Sequence, residues 1–166
     1  NAAEVPLCWR DSQTTEGNFS WTTSDAQIEW CRTHGLKVLA GPLLALDPRA
    51  LPDWLYLFED DFESVLDFVS AFVRSAVIRY RGKVDYWICA GRINAAESLS
   101  LSEQEKLRLV ARSIELVRGL DPNTPAMVSF DQPWAEYMSR RESDFPPLHF
   151  ADVLARAGLG LAGLMM

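Results

Sequence analysis

The side chains of this chain that could do chemistry are few and widely spaced. Two histidines, His34 and His149, and three cysteines, Cys8, Cys31 and Cys89, are all that a transition metal could use. None of their spacings is that of a zinc site, and no HExxH is present. An odd cysteine count without a close pair argues against a disulfide framework, and apolar neighbours make all three expected buried free thiols. His34 precedes Gly35 at an expected helix end, where an imidazolium suits the dipole. No GxGxxG or GxxxxGKS/T follows a candidate strand, so no nucleotide is expected, and neither a metal nor another cofactor is indicated. Carboxylates and tryptophans remain. Asp131 follows a candidate strand at a site rim, but acid–base work needs a second carboxylate fixed beside it. Glu59-Asp60-Asp61 is dense enough to attract a cation, yet helix capping explains it without one, and Glu97, Glu103 and Glu105 read as a solvated face and a helix start. Six tryptophans are a heavy load, and an indole serves a core and a sugar-stacking surface equally well.

The elements that must position these residues come from a chain of ordinary composition. Its 166 residues suit one domain, 1–166, and 48% apolar with 23% charged residues is average for a globular protein. A formal net charge of −7 opposes a polyphosphate partner, so nucleic-acid binding is not expected. No apolar run approaches the ~18–20 residues of a membrane span, and Asn1-Ala2-Ala3-Glu4 has neither the basic start nor the apolar centre of a signal peptide. A mature or trimmed chain would look the same, so the compartment stays open.

Apolar periodicity alternates between two kinds. Strands are expected at 5–9, 37–41, 84–90, 126–130 and 161–166. Helices are expected between them: one starting near Ser24 and ending at His34, one from Asp60 to Tyr80, one from Ser102 to Gly119, and one from Leu148 to Ala157. Capping boxes are expected at Ser24/Gln27, Asp60/Glu63 and Ser102/Glu105. Pro42, Pro48 and Pro52 make 43–57 mostly loop. Strands alternating with helices mean βαβ units and a parallel sheet, either an open doubly wound sheet or part of a TIM-type (β/α)8 barrel.

Particular residues favour the barrel. Trp9, Glu16-Gly17-Asn18-Phe19, Trp21 and Asp25 precede the first helix; Gly35, Gly41 and Pro52-Asp53-Trp54-Leu55 come next; Arg79-Tyr80-Arg81-Gly82-Lys83-Val84-Asp85-Tyr86-Trp87 comes after the long helix. This ordered set resembles the family-10 glycoside hydrolases, the barrels that include endo-xylanases, from their second strand to the start of their sixth. The resemblance implies a polysaccharide ligand, with Trp9, Trp54 and Trp87 as a sugar platform or as barrel packing, and an extracellular or periplasmic setting.

The family's chemistry is poorly kept. Retaining glycosidases need two carboxyl groups about 5–5.5 Å apart. Alignment on Trp87 puts Gly91 and Arg92 where the family has its Asn and acid/base Glu, and a guanidinium donates no proton at neutral pH. Arg92 could instead hold an anionic group or pair with Glu4. In the family's Glu-Asn-x-Met-Lys-Trp segment this chain reads Glu4-Val5-Pro6-Leu7-Cys8-Trp9, keeping Glu4 and losing Asn and Lys. A Gly-His strand end becomes Gly41-Pro42, and a sugar-facing Trp becomes Leu46. The family's nucleophile lies on its seventh strand, for which this chain offers no candidate. The expectation is a catalytically degenerate barrel segment retaining at most glycan binding. The other readings are an active hydrolase completed by further chain, or a structural domain. Parallel strands at 5–9 and 161–166 would need cover from further chain or a second subunit.

Overall fold

The computed structural model describes residues 1–93, 98–130 and 147–165. Its strands are β1 (Ala2–Val5), β2 (Lys37–Ala40), β3 (Leu44–Ala45), β4 (Tyr86–Gly91), β5 (Ala126–Ser129) and β6 (Gly163–Met165). All pairings are parallel and the lateral order is β1-β2-β4-β5-β6, with β3 beside β4. Order in space follows order in sequence. A doubly wound sheet would reverse direction part-way, so the arrangement is that of an arc of a barrel.

β2 and β3 are one strand broken in two. Leu39 and Ala40 pair with Tyr86 and Trp87, while Leu44 and Ala45 pair with Ala90 and Gly91. The break falls at Gly41, whose φ of +133° suits glycine alone and where a Cβ would come within 2.3 Å of the Ile88 carbonyl oxygen. The bare backbone lets the strand stay against β4 while it turns.

Helices α1 (Trp9–Ser12), α2 (Thr22–Thr33), α3 (Phe62–Tyr80), α4 (Glu103–Leu120) and α5 (Pro147–Arg156) connect the strands. Apolar residues at helical spacing put Val65, Val69, Phe72, Val73, Ala76, Val77 and Tyr80 of α3 in the core. The Ser102/Glu105 capping box forms as its spacing predicts: Glu105 N–H donates to Ser102 Oγ at 3.3 Å and Ser102 N–H to Glu105 Oε2 at 2.8 Å.

Several boundaries differ from the sequence reading. The apolar run 5–9 leaves the sheet at once, because Pro6 has no N–H for the ladder and the chain then turns into α1, so the first strand is Ala2–Val5. Ser24 lies inside α2, buried, and Trp21 stands at the N-cap without a side-chain bond. Asp61, one residue beyond the expected Asp60, caps α3 by accepting from Ser64 N–H at 3.2 Å and Ser64 Oγ at 2.6 Å. Loop 43–57 contains β3 and the start of a 3-10 helix, Asp53–Phe58.

Register decides which side chains face the helices. Val5, Ala40, Trp87 and Ala126 align across four strands and are buried. The alternate row, Glu4, Leu39 and Tyr86, with Ile88 beside Met127, lies on the concave side. A register shift between Ile88 and Ala90 resets the alternation, so that Gly91 aligns with Ser129.

One polar bracket ties α2 to the end of α3. Asp25 accepts from Arg79 Nε at 2.8 Å and from Tyr80 OH at 2.9 Å, and Arg79 closes the fork with its second nitrogen. The Arg79 hydrogen bonds hold the Asp25 carboxyl below its usual range, with Tyr80 adding to the effect. A carboxyl depressed in the folded state stabilises above its unfolded pKa of about 3.9 and loses that contribution as pH falls through the folded value. In thermal melts, Asp25→Asn should therefore lower Tm at pH 7, and the gap to the parent chain should close as pH falls below about 4 and through the depressed folded value. A gap that persists unchanged at pH 2 would assign the bracket's contribution to packing instead.

Candidate functional site

Barrel sites form where strands end, so the site is built from the segments that leave β1, β2, β4 and β5. β1 runs out through Pro6, Leu7 and Cys8; the broken second strand turns through Gly41, Pro42 and Leu43; β4 leads into Arg92, and β5 into Phe130. Between the first two exits lies a hollow of about 120 Å³, lined by Pro6, Leu7, Cys8, Trp9, Pro42 and Leu43 with Ala45 and Ala50. Its one polarisable group is the Cys8 thiol, which burial pushes above its ordinary pKa and keeps protonated at neutral pH. The Trp9 indole N–H is spent inside the protein, donating to Gln13 Oε1 at 2.7 Å. A pyranose ring carries hydroxyls on most carbons, and this hollow gives them no partners.

The end of β4 is tightly built. A Cβ added at Gly91 would meet the Pro42 ring carbons at 3.0 Å, so glycine here and proline opposite fit each other. An Asn side chain at that position would have to move the ring. Arg92 is exposed, sits in the left-handed region at φ 58°, and donates its backbone N–H to the Ser129 carbonyl at 3.1 Å. A non-glycine residue held at positive φ is costly and is found where surrounding structure fixes it.

The structure separates the six residues singled out in the sequence. Trp87 is fully buried on the helix side of β4, and its indole N–H donates to Asp121 Oδ2 at 2.9 Å beyond α4. It is a core anchor, with no face open to a sugar. Trp9 is buried too, stacked on Phe72 at 5.1 Å. Trp54 is half-buried, edge-on to Trp9 and Phe68, and donates to the Gln13 carbonyl at 3.1 Å. Trp9 and Trp54 thus share Gln13 and fasten the loops to α3. Glu4 is half-exposed at the rim of the arc, two strands from β4 and Arg92, where it borders a different groove beside α2. Asp131 and Glu97 lie outside the described residues. Leu46 is buried.

No sequence motif points to the groove beside α2. It measures about 320 Å³ and runs between Glu4, Val5 and Pro6 of the first strand and Ala26, Gln27, Trp30 and Cys31 of α2. Trp30 is 56% exposed. A helical wheel would have flagged it, because Ser24, Ile28 and Cys31 form the buried stripe of α2 and position 30 falls off it. Cys89 offers no nucleophile: burial pushes its thiol up to about 12. Among the described residues no group of three or more His, Cys, Asp or Glu could hold a metal ion, and no helix is long and apolar enough to cross a membrane.

Comparison with solved structures confirms the fold. The Thermobacillus composti GH10 xylanase superposes with a TM-score of 0.70 at 16% identity, over 97% of this chain and 48% of its own. Xylanase 10B from Thermotoga maritima gives 0.74 at 15% identity, over 94% and 48%. A GH10 endoxylanase retrieved from sugarcane soil metagenome gives 0.75 at 14%, over 99% and 48%. This chain therefore has the fold of part of a family-10 xylanase barrel and spans about half the length of these proteins. No protein-family model matches the sequence.

The roles of Trp87 as anchor and as sugar platform have opposite signatures. Trp87→Phe keeps most of the apolar volume but leaves Asp121 buried without its donor, a loss of about 1–3 kcal/mol. For a domain of this size that is a drop in Tm of roughly 2–12 °C. Retention on a xylan affinity gel should be unchanged. A variant with unaltered Tm and lost retention would return Trp87 to the site.

Proposed function

We propose that this chain is a family-10 glycoside-hydrolase-like barrel segment that has lost hydrolytic chemistry and keeps at most residual β-glycan binding. The observation that carries the reading is the rebuilt end of β4. Gly91 and Arg92 stand where the resemblance places Asn and the acid/base Glu, and Gly91 is fitted against Pro42. The substitution is matched by its neighbour across the strand gap, as expected of a surface that has settled into a different packing. The apolar hollow beside it supports the same reading, because sugar hydroxyls would be desolvated there without compensation. Loss of general acid/base help alone costs about 10²–10⁴-fold in rate.

Residual glycan contact falls to Trp54 and Arg92, with Glu4 further out, and to Asp131 as the sequence singles it out. A purely structural use of the scaffold is the second reading. It is favoured by the inward placement of Trp9 and Trp87, which removes two of the three indoles a sugar platform would need.

The test is hydrolysis of xylan and of an aryl β-xyloside by the 166-residue polypeptide. Turnover should not exceed the buffer blank, and Arg92→Glu should not raise it, because one carboxyl group does not make a retaining pair. Turnover that is abolished by changing one carboxylate of this chain would overturn the reading.

A further inference from the structure

We propose that the hollow at the exits of the first two strands is a binding site for a small uncharged aromatic ring, about the size of benzene. The inference goes beyond the loss of hydrolytic chemistry, because it gives the strand-end surface a different class of ligand.

Size and placement carry the first part. The hollow measures about 120 Å³ and is partly open, so a ring enters without unfolding the chain. It lies where strands end, the place where barrel ligands sit. Apolar protein cavities of ~150 Å³ stay dry and take up benzene. Leu7, Trp9 and Leu43 are at most 4% exposed and form the floor, while Pro6 and the Cys8 thiol stand nearer solvent.

The hydrogen-bonding groups of the lining carry the second part, because they are engaged elsewhere. Pro6 and Pro42 have no N–H. The Leu43 N–H donates to the Ile88 carbonyl at 2.9 Å, and the Ala50 carbonyl accepts from Arg10 N–H at 2.9 Å. The Cys8 carbonyl accepts from Ser12 N–H at 3.1 Å and from Ser12 Oγ at 2.8 Å, and the Trp9 carbonyl accepts from Gln13 N–H at 2.9 Å. The Trp9 indole N–H is on Gln13, and the weak Cys8 donor is 4.0 Å from the Ala50 carbonyl. A sugar, a peptide backbone or a carboxylate would bring polar groups that go desolvated and unpaired here. An arene brings none.

The kind of apolar wall carries the third. Pro6, Pro42 and Trp9 contribute rings, and Cys8 contributes a polarisable sulfur. Flat faces and sulfur pack on an arene better than on a branched alkyl chain. Cys8 and Pro42 are also two of the positions at which this sequence departs from the motifs it resembles, and both departures meet in this one hollow.

The test is the rate at which N-ethylmaleimide alkylates Cys8, followed by peptide mass spectrometry, with benzene or, separately, xylobiose added. Cys31 and Cys89 are buried, and their failure to react reports an intact fold. With benzene at about ten times its dissociation constant, Cys8 should react about tenfold more slowly, because only the empty protein reacts. Xylobiose should not slow it. Ala50→Leu puts a larger side chain into the hollow and should remove the benzene effect. Nuclear Overhauser contacts from benzene to the Leu7 and Leu43 methyls should locate the ring in the parent chain, whether or not that variant folds. An unchanged Cys8 rate up to the solubility limit of benzene overturns the proposal. So does protection that persists in a folded Ala50→Leu variant, or the absence of contacts to Leu7 and Leu43. Xylobiose that protects Cys8 as strongly as benzene overturns it in favour of a sugar site. Turnover of xylan would defeat the degenerate reading and leave the benzene result where it is, so the two failures are distinguishable.

Discussion

Every strand in this sheet runs parallel to its neighbours, and the consequences of that constraint reach every other feature of the molecule. A parallel sheet needs apolar cover on both faces because its crossovers bring helices to it. On the convex side the cover is complete: Val5, Ala40, Trp87 and Ala126 form a buried row beneath the helices. On the concave side the same sheet shows Leu39, Tyr86 and Met127 half-buried. The aromatic load follows from this asymmetry. Phe72 of α3 is fully buried, with Trp9 and Trp21 stacked on it at 5.1 and 5.7 Å, so three rings lock the loop after β1 and the start of α2 to the longest helix. Each such side chain contributes on the order of 1.5–3 kcal/mol by burial.

The strand ends are held by backbone fit more than by charge. Gly41 lets the second strand turn against Ile88, Pro42 then comes within 3.0 Å of where a Cβ on Gly91 would be, and Arg92 continues at positive φ with its N–H on the Ser129 carbonyl. These positions form one chain of contacts across three strands. An Asn in place of Gly91 would crowd the Pro42 ring, and moving the proline would disturb the turn at Gly41.

How much of this was legible in the sequence depends on what each signal measures. Helix periodicity measures burial of one face, so α3 and α4 were readable nearly to the residue, and Ser102/Glu105 capped as its spacing required. The ordered motifs gave the barrel arc because they are spaced by the fold itself. Strand limits were less readable. The run Val5 to Trp9 is apolar throughout, but Pro6 ends the ladder and the rest packs as loop and helix, and composition does not distinguish those fates. Ser24 has capping chemistry but lies inside α2, because the helix starts earlier, at Thr22. Gln13 and Asp121, the partners that claim three indole N–H groups, gave no local signal, since each lies at least 4 and as many as 41 residues from the tryptophan it serves.

The tryptophans show why a residue type cannot by itself place a binding surface. On β4 the difference between a core anchor and a platform is one step of alternation: Tyr86 and Ile88 face the concave side, and Trp87 between them faces the helices. A motif fixes the sequence position of an indole, whereas register fixes which solvent or side chain it meets. The family resemblance therefore singled out Trp9, Trp54 and Trp87 by their sequence positions without stating which way they point. Trp30, which no motif named, is left with more than half of its surface in solvent. It lies on the outer flank of α2, away from the strand ends where barrel sites are built.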